Sequence, residues 1–360
     1  MTSRSFGFKL FKRVILYSLL LTLIVFSCTK KDSTPPPPPA DKTALQAKVT
    51  LAQGIKISTV EGTKPTQYEV GSQAALVLII NAALAVIADP NATQTAVTNA
   101  TAQLQAALDT YATHLIKEIS AANLIGFWKF NGNPADSSGN NNNGVVTVGH
   151  AFYGAGTPTL TADRFGRANM AYHFDKGGNI EVPYTPALNS QQMSISIWLK
   201  KSAPASRTIN TDTYTMTSMN RWNAYKFQLQ SANKLFFTVK AVNGTDTAYY
   251  DRDDETAVLA NDTWYHGVVT FKPGVMSFYV NGDLVKSWTN TPNTPISIST
   301  KPINFVIGQD LPTSKYLTVD GDFQVAWGGF WTGDLDDVMF YNIALDATQV
   351  KSIYNNQKTL

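Results

Sequence analysis

Met193-Ser194-Ile195-Ser196-Ile197-Trp198-Leu199 alternates apolar and polar side chains, with Trp198 standing in a polar slot. A period of two puts successive side chains on opposite faces of a strand, so this stretch predicts a half-buried β-strand. The same texture extends in both directions. Leu235-Phe236-Phe237-Thr238-Val239 alternates, and the run Trp264 to Phe271, the turn Lys272-Pro273-Gly274 and the run Val275 to Val280 predict a hairpin. Asn281-Gly282 then predicts a tight type I′ turn into Leu284-Val285. From Leu124 to the end, short alternating runs punctuated by Asn-Gly and Pro-Gly replace any helical period. Many short strands without helices over residues 124–360 predict a mainly β, two-sheet antiparallel sandwich or jelly roll.

Upstream the pattern changes. Residues 41–121 are rich in Ala, Gln and Thr with a helical period. Asp41 is placed to cap a helix carrying Leu45, Val49, Ala52 and Ile55 on one face. Ser72 is placed to cap a second, with Leu76, Ile79, Ile80, Ala83 and Ile87, ended by Asp89-Pro90. A third starts near Thr93, with Val97, Leu104, Leu108, Tyr111 and Leu115. Three such helices predict a small bundle.

The first 27 residues read as a signal peptide. A basic start, Arg4 to Arg13, precedes the apolar run Val14 to Phe26, which falls short of the roughly 20 residues that span a bilayer. The lone cysteine, Cys28, ends that run as Val25-Phe26-Ser27-Cys28 and resembles a bacterial lipobox, where the cysteine is lipidated. A single cysteine leaves no internal disulfide, so the fold rests on its own core. Residues 28–40, with Pro35 to Pro39 as a polyproline II spacer of about 15 Å, read as a tether. The implied location is the cell envelope, lipid-anchored, at the outer membrane facing the exterior. Without Arg4, Lys9, Lys12 and Arg13, basic residues fall from 29 to 25 against 26 acidic ones. That near-neutral balance argues against nucleic acid as a partner.

Two family resemblances follow from these stretches. Glu61-Gly62, Gln67-Tyr68, Ala83 to Val86, Thr95-Ala-Val97 and Leu104-Gln-Ala-Ala-Leu108 resemble a FIVAR-type helical module, which implies a spacer or accessory unit. The β region resembles the laminin-G-like, concanavalin A-like superfamily through five stretches in order. These are Gly126-Phe-Trp128-Lys-Phe130-Asn-Gly132 with Asp136 to Asn140, and Asp163-Arg-Phe165-Gly166 with Ala171 to Asp175 and Ile180 to Pro183. Ile195-Ser-Ile197-Trp198, then Trp264-Tyr-His266 with Tyr279 to Gly282, and Gly333 to Asn342 complete the set. An insertion from about Leu311 to Phe330 departs from the compact pattern and is placed to shape a ligand surface.

The resemblance implies a structural calcium ion beside the first and last strands, with Asp336, Asp136 and the Gly178 carbonyl as ligands. Oxygen donors in flexible geometry suit calcium. The competing reading is that Asp336 caps a turn and Asp136 makes an Asx-turn. The resemblance also implies carbohydrate binding. A sugar site needs rings for its C–H faces and planar polar groups for its hydroxyls. Asn220-Arg221-Trp222-Asn223-Ala-Tyr225 concentrates both, so Arg221, Trp222, Asn223 and Tyr225 are candidate ligand-binding residues, joined by Trp327 and Phe330 in the insertion. Tyr249 and Tyr250 flank the acidic run Asp251 to Glu255, which reads as a solvated loop. Trp128, Trp198, Trp264 and Trp331 read mainly as core, although Trp198 shares a strand face with Ser194, Ser196 and Lys200 that could bind ligand.

Catalytic signatures are missing from the sequence. The five glutamates, at 61, 69, 118, 181 and 255, do not form the Glu-x-Asp-x-x-Glu strand of this superfamily's hydrolases. No Gly-x-Ser-x-Gly elbow, phosphate loop or Cys/His metal spacing occurs. The expectation is a non-catalytic, surface-anchored, lectin-like lipoprotein that binds a glycan or polysaccharide. The alternatives are a protein-binding adhesin or uptake-complex subunit, and an unrecognised glycoside hydrolase.

Overall fold

The computed structural model describes residues 38–203, 213–230, 232–297, 303–317, 325 and 328–359, with the backbone alone at 255–257. The predicted signal peptide, Cys28 and most of the proline-rich tether lie outside the described residues, as does Trp327.

Three helices open the described chain: α1 (Thr43–Ser58), α2 (Ser72–Ala88) and α3 (Gln94–Thr113). Their apolar stripes meet in one small core of Leu45, Val49, Leu76, Ile80, Leu104 and Tyr111. The Asp41 carboxylate accepts the Thr43 amide at 2.9 Å, and the Thr93 hydroxyl accepts the Ala96 amide at 3.1 Å, satisfying otherwise unpaired first-turn donors. At α2 the cap differs from expectation. Ser72 donates to the Glu69 carbonyl, and the Glu61 carboxylate takes the Gln73 amide instead, at 2.6 Å.

The β region is a sandwich of two antiparallel sheets. One has seven strands in the order Asp246–Val258, Lys234–Asn243, Tyr225–Gln230, Tyr214–Met219, Phe305–Ile307, Asn179–Val182 and Val145–Thr147. The other has eight: Asp283–Trp288, Val275–Val280, Tyr265–Lys272, Met193–Lys201, Gly333–Tyr341 and Ala171–Phe174 run in sequence to Thr159–Thr161, and Leu124–Trp128 pairs with Gly333–Tyr341. The opening stretch behaves as its alternation requires. Met193, Ile195, Ile197 and Leu199 enter the core between the sheets, while Ser194, Ser196 and Trp198 face away. Trp128, Phe174, Tyr225, Phe237, Phe305 and Phe340 fill that core. Asn281 and Gly282 both take positive φ, 52° and 79°, as a type I′ turn demands.

Two expectations are corrected. The acidic run from Asp251 lies within the strand Asp246–Val258, not in a loop. The β region also ends in a helix, α4 (Ala347–Gln357), opened by a capping box. Asp346 takes the Gln349 amide and Gln349 takes the Asp346 amide, each at 3.0 Å.

Helix α4 lies on the outer face of the eight-stranded sheet, packing Val350 and Ile353 against Val268, Tyr279 and Met339. Trp198 is therefore covered. Its ring centre lies 5.8 Å from that of Tyr354, and its indole N–H donates to Gln357 at 2.9 Å. The same helix meets the three-helix module, through Thr348 to the Leu115 carbonyl and Asn356 to the Thr63 carbonyl. Among the described residues no helix is long and apolar enough to cross a membrane.

Candidate functional site

With α4 on one outer face, the other outer face carries the unusual chemistry. The strand Tyr225–Gln230 alternates: Tyr225, Phe227 and Leu229 enter the core, and Lys226, Gln228 and Gln230 point out. Register then fixes their neighbours. Lys226 sits between Ser218 and Thr238, and Thr238 sits beside Asp251. One strand pitch along, Gln228 sits between Thr215 and Phe236, and Lys240 pairs with Tyr249. Directly opposed side chains lie about 5 Å apart, so these groups form a continuous polar row across four strands. Burial falls along it: Ser218, Lys226 and Thr238 are buried, whereas Asp251 and Tyr249 are exposed.

The loop that joins two of these strands shapes one end. Asn220 and Arg221 both adopt left-handed backbone, at φ 58° and 54°. Two consecutive side-chain-bearing residues in that region cost about 1 kcal/mol or more each, and such strain persists only where surrounding contacts impose it. Here the Arg221 amide donates to Ser218 Oγ at 3.0 Å, and its Nε donates to Asp310 Oδ2 at 2.8 Å in a fully buried pair. The Tyr316 hydroxyl donates to the other Asp310 oxygen. The result presents Trp222, half-buried, with the Arg221 guanidinium 5.1 Å and the Lys226 ammonium 4.9 Å from its ring centre. Cations at this distance hold an indole in place. Next to it Lys240 donates to Asn223 Oδ1 at 3.2 Å and lies 5.3 Å from the Tyr249 ring centre.

Several of these groups are unsatisfied. Thr215 Oγ1, Thr238 Oγ1 and Gln228 Oε1 are buried without a hydrogen-bond partner. Lys226 Nζ meets no hydrogen-bond acceptor among the described residues. Burial pushes the Lys226 ammonium down to about 8, with Arg221 adding to the fall and Asp310 and Asp251 opposing it. Buried polar groups are normally paired, and Thr215, Gln228 and Thr238 are exceptions that lie beneath the surface, at 0–1% exposure.

The predicted ligand residues separate accordingly. Trp222 and Asn223 stand at the rim of this row. Arg221 is 1% exposed and committed to Asp310, so it positions the loop and does not face solvent. Tyr225 is a core residue: its ring packs near Phe237, Phe305 and Phe340, and its hydroxyl donates to the Leu188 carbonyl. Phe330 is also buried, 5.2 Å from the Tyr153 ring. Both rings are thus closed to a ligand. The insertion contributes through Tyr316, not through Phe330. Lys226, Gln228, Thr215, Thr238 and Lys240 were not singled out from sequence. Their signal was the alternation Tyr225-Lys-Phe-Gln-Leu-Gln230, a strand whose polar partners are uncharged or singly charged on a face that ends up buried.

The residues named for calcium do not fit an ion. All four acceptor directions of Asp136 are taken, by the amides of Phe127, Ser138 and Asn142 and the Ser138 hydroxyl, at 2.8–2.9 Å. That is the Asx-turn arrangement. Asp336 takes Arg164 at 2.6 Å and the Asp337 amide at 2.8 Å, and Arg164 also binds Asp337 at 2.8 Å. Burial and the Asp337 charge push Asp336 up to about 8, with Arg164 opposing. Gly178 sits against Gly156 and Pro158. The cation beside the closing strand is thus a guanidinium, lying 4.4 Å from the Trp198 ring centre. Among the described residues no three His, Cys, Asp or Glu side chains gather as a metal site.

The family model of the concanavalin A-like lectin/glucanases superfamily, laminin-G type 3, matches residues 174–351. Comparison with curated proteins gives no match. Similar solved structures include domain 4 of a GH43 extracellular arabinanase from Geobacillus stearothermophilus in complex with arabinotriose. It is 20% identical at a TM-score of 0.45, covering 64% of this chain and 98% of that one. The binding domain of Paraclostridial Mosquitocidal Protein 1 is 16% identical at a TM-score of 0.47, and that of botulinum neurotoxin serotype C1 is 18% identical at 0.44. In each case 66% of this chain is covered, and the chain spans about half, 52%, of the toxin domain. Sheet order and the match over residues 174–351 agree that the β region has the concanavalin A-like sandwich fold, similar to the laminin-G type 3 family.

Proposed function

We propose that the protein is a non-catalytic carbohydrate-binding protein whose site is the outer face of the seven-stranded sheet. One observation carries the reading. At the rim of that face the exposed Tyr249 ring and the half-buried Trp222 stand beside Asn223, Lys226 and Lys240, so rings and hydrogen-bonding groups border one surface. A polyhydroxylated ligand offers hydrogen-bond partners to the polar groups of that rim, and its C–H faces suit the rings. The rest of the chain is read to match. Lipidation at Cys28 holds the protein at the outer membrane, facing outward, and residues 28–40 with the FIVAR-like helices set the lectin domain away from the lipid.

The test is a polysaccharide and glycan array probed with the protein and with Trp222→Ala, with calcium and with EDTA, together with an assay for released reducing sugar. The reading expects selective binding that Trp222→Ala abolishes, that persists in EDTA, and that releases no sugar. Binding by a protein partner alone, or sugar release, overturns it in favour of the adhesin or hydrolase reading.

A further inference from the structure

The three-helix module carries a feature that the carbohydrate reading leaves unused. On the outside of the bundle α2 and α3 leave a groove of about 650 Å³. Ala75, Leu78 and Ile79 of α2 form one wall, and Gln103, Ala106 and Ala107 of α3 form the other. Leu78 is 70% exposed on its wall. We propose that this groove is a self-association surface: two copies of the chain pair across a two-fold axis, and each Leu78 enters the groove of the other.

Charge selects the occupant. α2 carries no charged side chain in its 17 residues, and α3 carries only Asp109 in its 20. Asp109 lies on the side turned to α1: its carboxylate accepts Gln105 at 2.7 Å, and Gln105 in turn accepts Lys48 of α1. At the end of the groove His114 is paired with Glu69 at 2.6 Å. A basic or acidic peptide laid along these walls would lose the hydration of its charges and find no counter-charge. Helices that lie on bilayers flank their apolar face with Lys and Arg, and neither α2 nor α3 has one. A second copy meets the requirement. A two-fold axis sets a surface against itself, so a charge near the axis would meet its like, and the walls of this groove have none to oppose.

Shape agrees with charge. A self-complementary contact needs a projection and a recess side by side on one surface. Leu78 is the projection, and the groove beside it, with Ala75, Ala106 and Ala107 in its walls, is the recess. Side chains of one helix set into the grooves of another are the ordinary way in which helices pack. Gln103 and Thr110 are exposed along the groove, where an amide and a hydroxyl can hydrogen-bond across the pair. Leu51 and Ile57 are exposed aliphatics too, but they belong to α1, which does not line the groove. Because α4 ties the helices to the sandwich, pairing brings two sandwiches into one assembly. On the carbohydrate reading, two such sites act on one polymer by avidity.

The experiment is sedimentation equilibrium of the chain from Thr29 onward, which keeps every described residue, at concentrations up to about 100 µM, because association follows mass action. Native sequence, Leu78→Asp, Ala106→Glu and Leu51→Asp are compared, with melting curves to show that each folds. Two groove variants are used so that one remains if the other fails to fold. The proposal expects a monomer–dimer equilibrium in the native chain, weakened at least tenfold by a folded groove variant and unchanged in Leu51→Asp, which is 56% exposed on α1. A native chain that stays monomeric throughout overturns the proposal. A dimer that the folded groove variants keep, or that Leu51→Asp weakens as much, places the contact elsewhere and overturns it as well. None of these results decides whether the sandwich binds a glycan.

Discussion

Replacing Lys226 by methionine should stabilise the protein. Methionine keeps an unbranched stem in the same space and removes the ammonium. Moving a lysine from its usual 10.5 to about 8 by burial corresponds to a cost of about 3 kcal/mol to the folded state near neutral pH. The pH dependence has a definite sign. The folded pKa lies below the unfolded one, so the cost is fully present below about 8. It is relieved between about 8 and 10.5, where the unfolded chain still holds the proton that the folded chain has released. Urea denaturation of native and variant protein at pH 7, 8, 9 and 10 isolates this contribution, because every other titrating group is shared. The variant should be more stable by about 3 kcal/mol at pH 7, with the gap closing towards pH 10. A variant that is less stable at pH 7, or a gap that does not change with pH, refutes the reasoning, for the ammonium would then be well paired in the native fold.

Three further outcomes follow from particular contacts. Arg221→Met leaves Asp310 buried without its cation and should cost about 3–5 kcal/mol in chemical denaturation, while Arg221→Met with Asp310→Asn should cost less than the two single changes together. The hydrogen bond that His173 donates to Asp334, aided by the carboxylate's charge, holds the His173 pKa above its usual 6.5. That pair stabilises the fold fully below 6.5 and is lost as pH rises through the raised value, so melting temperatures of His173→Gln and native protein should converge above that range. Gly333 opens the closing strand at φ 135°, and a Cβ there would lie 2.2 Å from the Lys200 carbonyl oxygen. Gly333→Ala should therefore cost at least about 2 kcal/mol, read as a lower melting temperature.

The fold was legible because its signals are local. Strand alternation at Met193 to Leu199, the Asn281-Gly282 turn and the three helical stripes each state their own geometry. The capping box of α4, Asp346-Ala-Thr-Gln349, is equally local, but it follows a long β region whose alternation points to further strands. The site was less legible because it depends on which face each strand turns to the core. Arg221, Trp222, Asn223 and Tyr225 stand together in sequence, yet the strand that begins at Tyr225 sends that ring inward and Lys226 outward. Lys226, Thr238 and Asp251 are neighbours only through strand register, which no single segment encodes. The calcium expectation failed to fit for a related reason. Arg164, far from Asp336 in sequence, folds over it and supplies the positive charge.

The central claim, that carbohydrate binds on the outer face of the seven-stranded sheet, is tested most directly by hydrogen exchange of the protein with and without the tightest-binding polysaccharide of the array. The account predicts new protection in the loop at residues 220–224 and in the strands Tyr225–Gln230 and Lys234–Asn243, absent in Trp222→Ala. Protection confined to α1, α2 and α3, or to the α4 face around Trp198, would contradict it.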